Sequence, residues 1–233
     1  GENLIHMPAV QDHKRAYEND TGPNTGGMGT YSDSDHSLPF LEKSHIESAQ
    51  KINEKTAKAL KHKFGEGYKG ILYGGFIATN AGVQLIEYNA RFGDPEAMNV
   101  LSILDSDLIE ICEAIISGRL NKTKIIFKNL ATVCKYAVPD GYPDDPVKGH
   151  QIDVSQVKNK NMLFYASVEN KKDNLIQIGS RAIALVGHGE TIWEAEEIAE
   201  KNILKVKGPL FHRKDIGTTD LIQKKINHMS SLK

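Results

Sequence analysis

From Glu42 to Phe64 the apolar positions Ile46, Ala49, Ile52, Ala57, Leu60 and Phe64 recur every three to five residues with charge between them. That spacing predicts an amphipathic helix, with Ser44 as its cap and Gly65-Glu66-Gly67 as its end. The period then shortens. Gly70 to Ala78 and Val83 to Tyr88 are β-rich runs about the turn Thr79-Asn80-Ala81-Gly82, which predicts a hairpin. Pro95 suits the first turn of a helix, expected from Glu96 to Leu104. A second helix is expected from Leu108 to Ile116, with Asp105-Ser106-Asp107 at its positive end and Gly118 as its stop. Beyond it, Ala131 to Val138, Met162 to Val168, Leu175 to Gly179 and Ala182 to Val186 read as strands of one antiparallel sheet. Gly187-His188-Gly189-Glu190 then turns into a helix over Thr191 to Val206, with Ile192, Ala195, Ile198, Ala199 and Ile203 on its apolar side. A short strand is expected over Leu4 to Met7, and a short helix and tail close the chain. The pattern is α+β. The polar and basic stretch Asn121 to Asn129 is the expected link between two domains.

The polar positions carry the candidate chemistry. Leu85-Ile86-Glu87-Tyr88-Asn89-Ala90-Arg91-Phe92-Gly93-Asp94-Pro95-Glu96 is a short apolar strand running into a turn crowded with charge. Alternation puts Glu87, Asn89 and Arg91 on one face and Ile86, Tyr88 and Ala90 on the other, which packs. A carboxylate and an amide oxygen two residues apart are hard ligands of the kind Mg²⁺ takes beside substrate phosphates. A solvated polar face is the plain alternative for Glu-x-Asn alone. Upstream, Gln11-Asp12-His13-Lys14-Arg15 leads to Thr21-Gly22-Pro23-Asn24-Thr25-Gly26-Gly27-Met28-Gly29, which is too rich in glycine and proline for helix or regular strand. Such a turn can present successive backbone N–H groups to an anion, or can be a surface loop. It is neither a P-loop nor a dinucleotide fingerprint. Arg213-Lys214-Asp215-Ile216-Gly217 is a further polar cluster near the end.

Charge narrows the partners. Lys+Arg total 29 and Asp+Glu 30, a net charge of −1, so no overall basic field serves nucleic acid or an anionic membrane. Apolar residues at 39% and charged residues at 25% are ordinary globular values. Cys112 and Cys134 each lie in an apolar run, without zinc spacing, and read as small buried residues. No apolar run reaches the roughly 20 residues that span a bilayer. A reducing, cytoplasmic setting is expected.

The four clusters, in this order and spanning nearly the whole chain, resemble the phosphoribosylamine–glycine ligases, the glycinamide ribonucleotide synthetases of the ATP-grasp superfamily. In one place the chain departs from the commoner form, since Ala97-Met98 stand where Thr-Gln usually follows the glutamate. The resemblance implies the C-terminal half of such an enzyme. Residues 1–120 would be the C-terminal lobe of an ATP-grasp domain, an antiparallel sheet with helices. Residues 125–228 would be the family's small mixed α/β C-terminal domain. The N-terminal half, with the lid over ATP, would be the missing partner. The implied reaction joins glycine to phosphoribosylamine with ATP as co-substrate and Mg²⁺ or Mn²⁺ as cofactor, through an acyl phosphate. By the same resemblance Glu87 and Asn89 are metal ligands, while Arg91 and Asp94 are catalytic. Asp12, Lys14, Thr25, Gly26 and Gly27 border the substrate, and Arg213 and Lys214 would hold the sugar phosphate. The competing expectations are another ATP-grasp carboxylate–amine ligase and a non-catalytic nucleotide-binding fragment.

Overall fold

The structure is a computed structural model that describes residue 1 and residues 3–232. Its strands are β1 (Gln11–Asp12), β2 (Arg15–Tyr17), β3 (Thr21–Asn24), β4 (Gly29–Ser32), β5 (Tyr73–Thr79), β6 (Gly82–Asn89), β7 (Ala131–Pro139), β8 (Gln151–Ile152), β9 (Leu163–Tyr165), β10 (Val168–Lys171), β11 (Asn174–Gln177), β12 (Ile183–Gly189) and β13 (Leu210–Phe211). Its helices are α1 (Lys43–Phe64), α2 (Glu96–Ser102), α3 (Leu108–Ile116), α4 (Ile192–Ile203) and α5 (Thr219–Ser231). The expected α+β class holds.

The central sheet is antiparallel, in the order β1-β4-β7-β12-β9, with β13 paired to the end of β7. β7 is its axis, and all nine of its residues are buried. A strand covered on both faces reads as an unbroken apolar run, and β7 does so except at Thr132 and Lys135. Tyr31, Val133, Val186, Ala195, Ala199 and Ile216 belong to one packed cluster. Ala137, Ile152, Val157, Leu163, Leu185 and Ile203 belong to a second. Gly187 lets α4 come close, because a Cβ there would lie 1.9 Å from the carbonyl oxygen of Ala195. Pairing of β4 with β7 carries the sheet across the expected link, tying Gly29 to Lys135 and Tyr31 to Val133.

The hairpin β5–β6 forms as expected, with an irregularity at Gly75 and Phe76. It rests on α1, where the Tyr88 hydroxyl donates to Asn53 Oδ1 at 2.7 Å. Ile86 does not pack, at 65% exposed. The cap of α1 is Glu42 rather than Ser44, because the Glu42 N–H donates to His45 Nδ1 and closes a capping box. α3 is capped by Asp107, and α4 by Thr191. Three other expectations change. Residues 4–7 form no strand. β10 and β11 leave the central sheet and join β8 in a second, three-stranded one. Cys134 is buried but Cys112 is exposed, since it lies on the outer side of α3.

Candidate active site

β6 presents the first part of the site. Asn89 Nδ2 donates to Glu87 Oε1 at 3.1 Å, and Arg91 Nη2 lies 3.4 Å from Asn89 Oδ1, so the three side chains share a face. Arg91 also donates to the carbonyl of Phe92 at 2.7 Å, and both Glu87 and Arg91 are exposed. One carboxylate and one amide oxygen side by side fit a hard cation that keeps most of its water or takes phosphate oxygens. Among the described residues no group of three or more His, Cys, Asp or Glu could hold a metal ion. These two would therefore be partial ligands.

Tyr73, opposite Asn89 on β5, connects this face to the rest. Its hydroxyl donates to Glu96 Oε1 at 2.6 Å. Burial, then the charges of Glu96, Asp12 and Glu87, raise its pKa well above the phenol range, which places all three acids about one ring. Glu96 is itself buried at the start of α2. Asp12 lies between them at the sheet edge. Lys14 Nζ is 2.5 Å from its Oδ2 as an ion pair, but no aligned hydrogen bond reaches either oxygen. Burial and the charge of Glu96 push Asp12 up to about 6, against the pull of Lys14. A carboxylate poised near neutrality in a cluster of acids is a functional-site signature.

The glycine-rich stretch acts through shape. Residues 21–24 form β3 against β2, with an irregular register, where neither regular strand nor helix was expected. The amides of 25–28 are spent internally. Thr25 donates to Lys14 O, Gly26 to the Tyr142 hydroxyl, Gly27 to Thr25 Oγ1 and Met28 to His13 O. These N–H groups are thus not an anion cradle. What the glycines supply is closeness. Gly27, at φ +117°, would put a Cβ 2.7 Å from Pro95 Cδ and 3.0 Å from Asp12 Oδ1.

Asp94 closes the cluster from the other side. Tyr136 of β7 donates to its Oδ1 at 3.0 Å, and Arg181 Nη2 donates to its Oδ2 at 2.8 Å. Arg181 also stacks over the Tyr136 ring at 4.5 Å and reaches the carbonyls of Gly26 and Gly27 at 3.1 and 3.3 Å. Sequence reasoning missed Tyr73, Tyr136 and Arg181. A usable signal existed for the last, because the chain has only five arginines among 29 basic residues, and this one lies just before a strand. Met98, in place of an amide, packs half-buried against the core.

Arg213 is not brought to this cluster. It is 1% exposed, and its guanidinium donates to Asp215 Oδ1 and Oδ2 at 2.9 and 2.8 Å, Asp20 Oδ1 at 2.8 Å and Arg15 O at 3.1 Å. Burial would raise Asp20, but the hydrogen bond from Arg213 and the charge of Lys225 hold it at about 2. The fork that was expected to hold a sugar phosphate is thus used up inside the protein. Nearby, burial depresses His13 to about 3, so it stays neutral. Lys214 is exposed and lines a shallow cleft of about 290 Å³ with Ala137, Ile203, Val206, Leu210 and Phe211.

With this geometry in place, the chain can be compared with known proteins. Residues 1–97 match the phosphoribosylglycinamide synthetase ATP-grasp (A) domain, and residues 132–219 match the C domain of the same synthetase. The phosphoribosylamine–glycine ligase of Methanosarcina barkeri is 51% identical over 233 residues, which is all of this chain and 54% of that protein. That of Methanocaldococcus jannaschii is 51% identical over 236 residues, covering 53% of its length. The chain therefore spans about half the length of the curated relatives it matches. Among solved structures, the phosphoribosylamine–glycine ligase of Thermotoga maritima superposes with a TM-score of 0.80 at 29% identity, covering 93% of this chain and 53% of that one. The biotin carboxylase domain of Hydrogenobacter thermophilus 2-oxoglutarate carboxylase superposes at 0.61 with 18% identity, over 98% of this chain and 46% of that one, a likeness of fold alone.

Proposed function

The chain belongs to the phosphoribosylglycinamide synthetase family, and from that premise we propose that it supplies the metal and amine-substrate groups of a phosphoribosylamine–glycine ligase. In this reading residues 1–120 complete an ATP-grasp domain, residues 125–228 form the C-terminal domain, and the half that the relatives have in addition supplies the rest of the ATP site. The reaction consumes ATP, activates the carboxylate of glycine as an acyl phosphate and joins it to the amine of phosphoribosylamine. It belongs to purine biosynthesis and to the cytoplasm. No helix among the described residues is long and apolar enough to cross a membrane.

Glu87 and Asn89 would hold Mg²⁺ or Mn²⁺, which when bound neutralises phosphate charge during transfer. Arg91, exposed and two residues from Asn89, offers a fork to the phosphoryl oxygens. Asp12, with its pKa raised to about 6, is ionised at neutral pH yet near enough to titration to take a hydrogen bond or a proton from an amine. Both oxygens of Asp94 already accept a hydrogen bond, so it serves as an oriented acceptor rather than a free base. Gly26 and Gly27 shape the wall, Thr25 fixes their turn, and Lys14 balances Asp12. Lys214 would have to act from its own cleft.

The observation that carries this reading is the convergence of Asp12, Gly27, Asp94 and Glu96, from three separate segments, beside the Glu87–Asn89 face. The test is ADP release by the complete enzyme with ATP, Mg²⁺, glycine and phosphoribosylamine, wild type against Glu87→Ala. Release that needs both substrates and is lost in the variant supports it. A Glu87→Ala enzyme at wild-type rate removes the metal assignment, and a different amine acceptor would move the chain to another carboxylate–amine ligase. Nucleotide binding without turnover would favour a non-catalytic role.

A further inference from the structure

We propose that Arg181 is the positioning residue of this site, a clamp from the second half of the chain that sets the Gly26–Gly27 turn and the Asp94 carboxylate in one register. The inference rests on the functional reading above for what the site does, but its geometry stands apart from it. Three things meet at one guanidinium. Nη2 donates to Asp94 Oδ2 at 2.8 Å, Nη1 lies 3.1 Å from Gly26 O, 3.3 Å from Gly27 O and 3.5 Å from Asp94 O, and the planar group lies 4.5 Å above the Tyr136 ring. Tyr136 in turn donates to Asp94 Oδ1.

Two of the segments so joined are loops. The 25–28 turn stands at positive φ at Gly27, and the Asp94 side chain is half exposed on a turn before α2. Arg181 is only 15% exposed in its side chain and lies two residues before β12, next to Ala182 and Ile183, which are fully buried. A rigid strand therefore holds a rigid fork, and the fork holds two loops. Lysine cannot replace it. A single ammonium on a flexible stem cannot satisfy a carboxylate and two carbonyls at once while stacking flat on a ring. The chemistry also explains why the loop carbonyls turn inward. Gly26 O and Gly27 O point at the guanidinium, which leaves the Cα side of Gly27 against Asp12 and Pro95, where no side chain fits.

The test uses Arg181→Lys and Arg181→Ala in the complete ligase, with two separate readouts. In hydrogen exchange, the amides of residues 25–28 and 97–98 should exchange faster in Arg181→Lys while those of β7 and β12 stay protected. This readout needs no activity, so it judges the clamp even if the proposed reaction is wrong. In turnover, misplacing groups by about an ångström costs on the order of 100-fold, so Arg181→Lys should lose about 10- to 100-fold, mainly in kcat, at an unchanged melting temperature. Added guanidinium ion should restore part of the Arg181→Ala loss. Exchange at 25–28 equal to wild type, or Arg181→Lys with wild-type kcat and KM, overturns the proposal. So does a loss in Arg181→Ala that follows the unfolded fraction and does not respond to guanidinium. A wild-type enzyme inactive with glycine and phosphoribosylamine would refute the functional reading instead.

Discussion

Lys135→Met is the sharpest test of how the scaffold is held. Lys135 is 0% exposed, in the middle of β7, with Nζ 2.6 Å from Glu196 Oε1, 2.7 Å from Glu200 Oε2 and 2.8 Å from Lys214 O. Methionine keeps most of the aliphatic volume and removes the charge. Two carboxylates, 12% and 22% exposed, then face each other from one side of α4, and a carbonyl loses its donor. Removing one partner of a buried ion pair typically costs about 3–5 kcal/mol. An independent figure comes from Glu200. Burial would raise its pKa, but hydrogen bonds from His212 and Lys135 bring it down to about 2 from 4.5. That shift corresponds to about 3 kcal/mol, of which His212 holds a share. For a chain of this size 1 kcal/mol moves Tm by roughly 2–4 °C, so a loss of about 6–20 °C is expected. Because the folded pKa is depressed, the contribution is complete above about pH 4.5 and disappears as pH falls toward 2. The assay is thermal unfolding of wild type and Lys135→Met at pH 7 and pH 3, followed by the fluorescence of Trp193, one turn before Glu196 on α4. The difference should shrink at pH 3. A loss below about 3 °C at pH 7, or one equal at both pH values, would refute the electrostatic account.

Three further outcomes follow from the site. Asp12→Asn should raise stability by about 2–3 kcal/mol above pH 6 while abolishing turnover. The folded pKa of about 6 lies above the unfolded 3.8, so wild type loses stability as pH rises through that window, and the two proteins should melt together below pH 4. Gly27→Ala should cost upwards of about 1–3 kcal/mol, from positive φ and the collision with Pro95, and should lower kcat more than Lys14→Ala does; calorimetry and steady-state rates decide it. Arg213→Lys should destabilise the fold by about 2–4 kcal/mol in urea unfolding, because Asp20 and Asp215 lose a shared fork, while KM for phosphoribosylamine stays unchanged. A raised KM without loss of stability would return Arg213 to the substrate.

What the sequence made legible was whatever a local pattern encodes. α1, α3, α4, β7 and the β5–β6 hairpin each carry their own period, cap or turn, and each formed within a few residues of expectation. β1 and β2 could not be read in this way, because two or three residues have no period and are strands only through β4 and β3. The same holds for the second sheet, where the departure of β10 and β11 depends on pairing with β8, more than 20 residues upstream. The polar residues divide likewise. Glu87, Asn89 and Arg91 share a face by strand alternation alone, and they do so in the structure. Arg213 and Lys214 look alike in sequence, yet one is buried and the other exposed. The difference is made by Asp20, 193 residues away, and no local pattern contains it. Tyr73, Tyr136 and Arg181 were missed for the same reason, since each acts through a partner from another segment.

The acidic groups are not scattered over the fold. Asp12, Glu96 and the exposed Glu87 gather about Tyr73, and burial, with the charge of Glu96 added to it, raises Asp12, which works against folding at neutral pH. Groups placed for a ligand commonly carry such a cost. The opposing terms lie just behind the site. Arg213 joins Arg15 and Asp20, which follow the Asp12 segment, to the 213–217 turn, and Lys135 holds that turn to β7 and α4. Gly29 pairs with Lys135 itself, so the strand that ends the glycine-rich stretch sits directly on this second anchor. A cation or an amine entering among the acids would relieve the repulsion that Asp12 feels, and the site would gain stability on binding through the same carboxylate that weakens it when empty. The C-terminal half of the chain thus does more than cover a sheet. Its Lys135 and Arg213 offset the strain of an acidic cluster, and its Tyr136 and Arg181 hold Asp94.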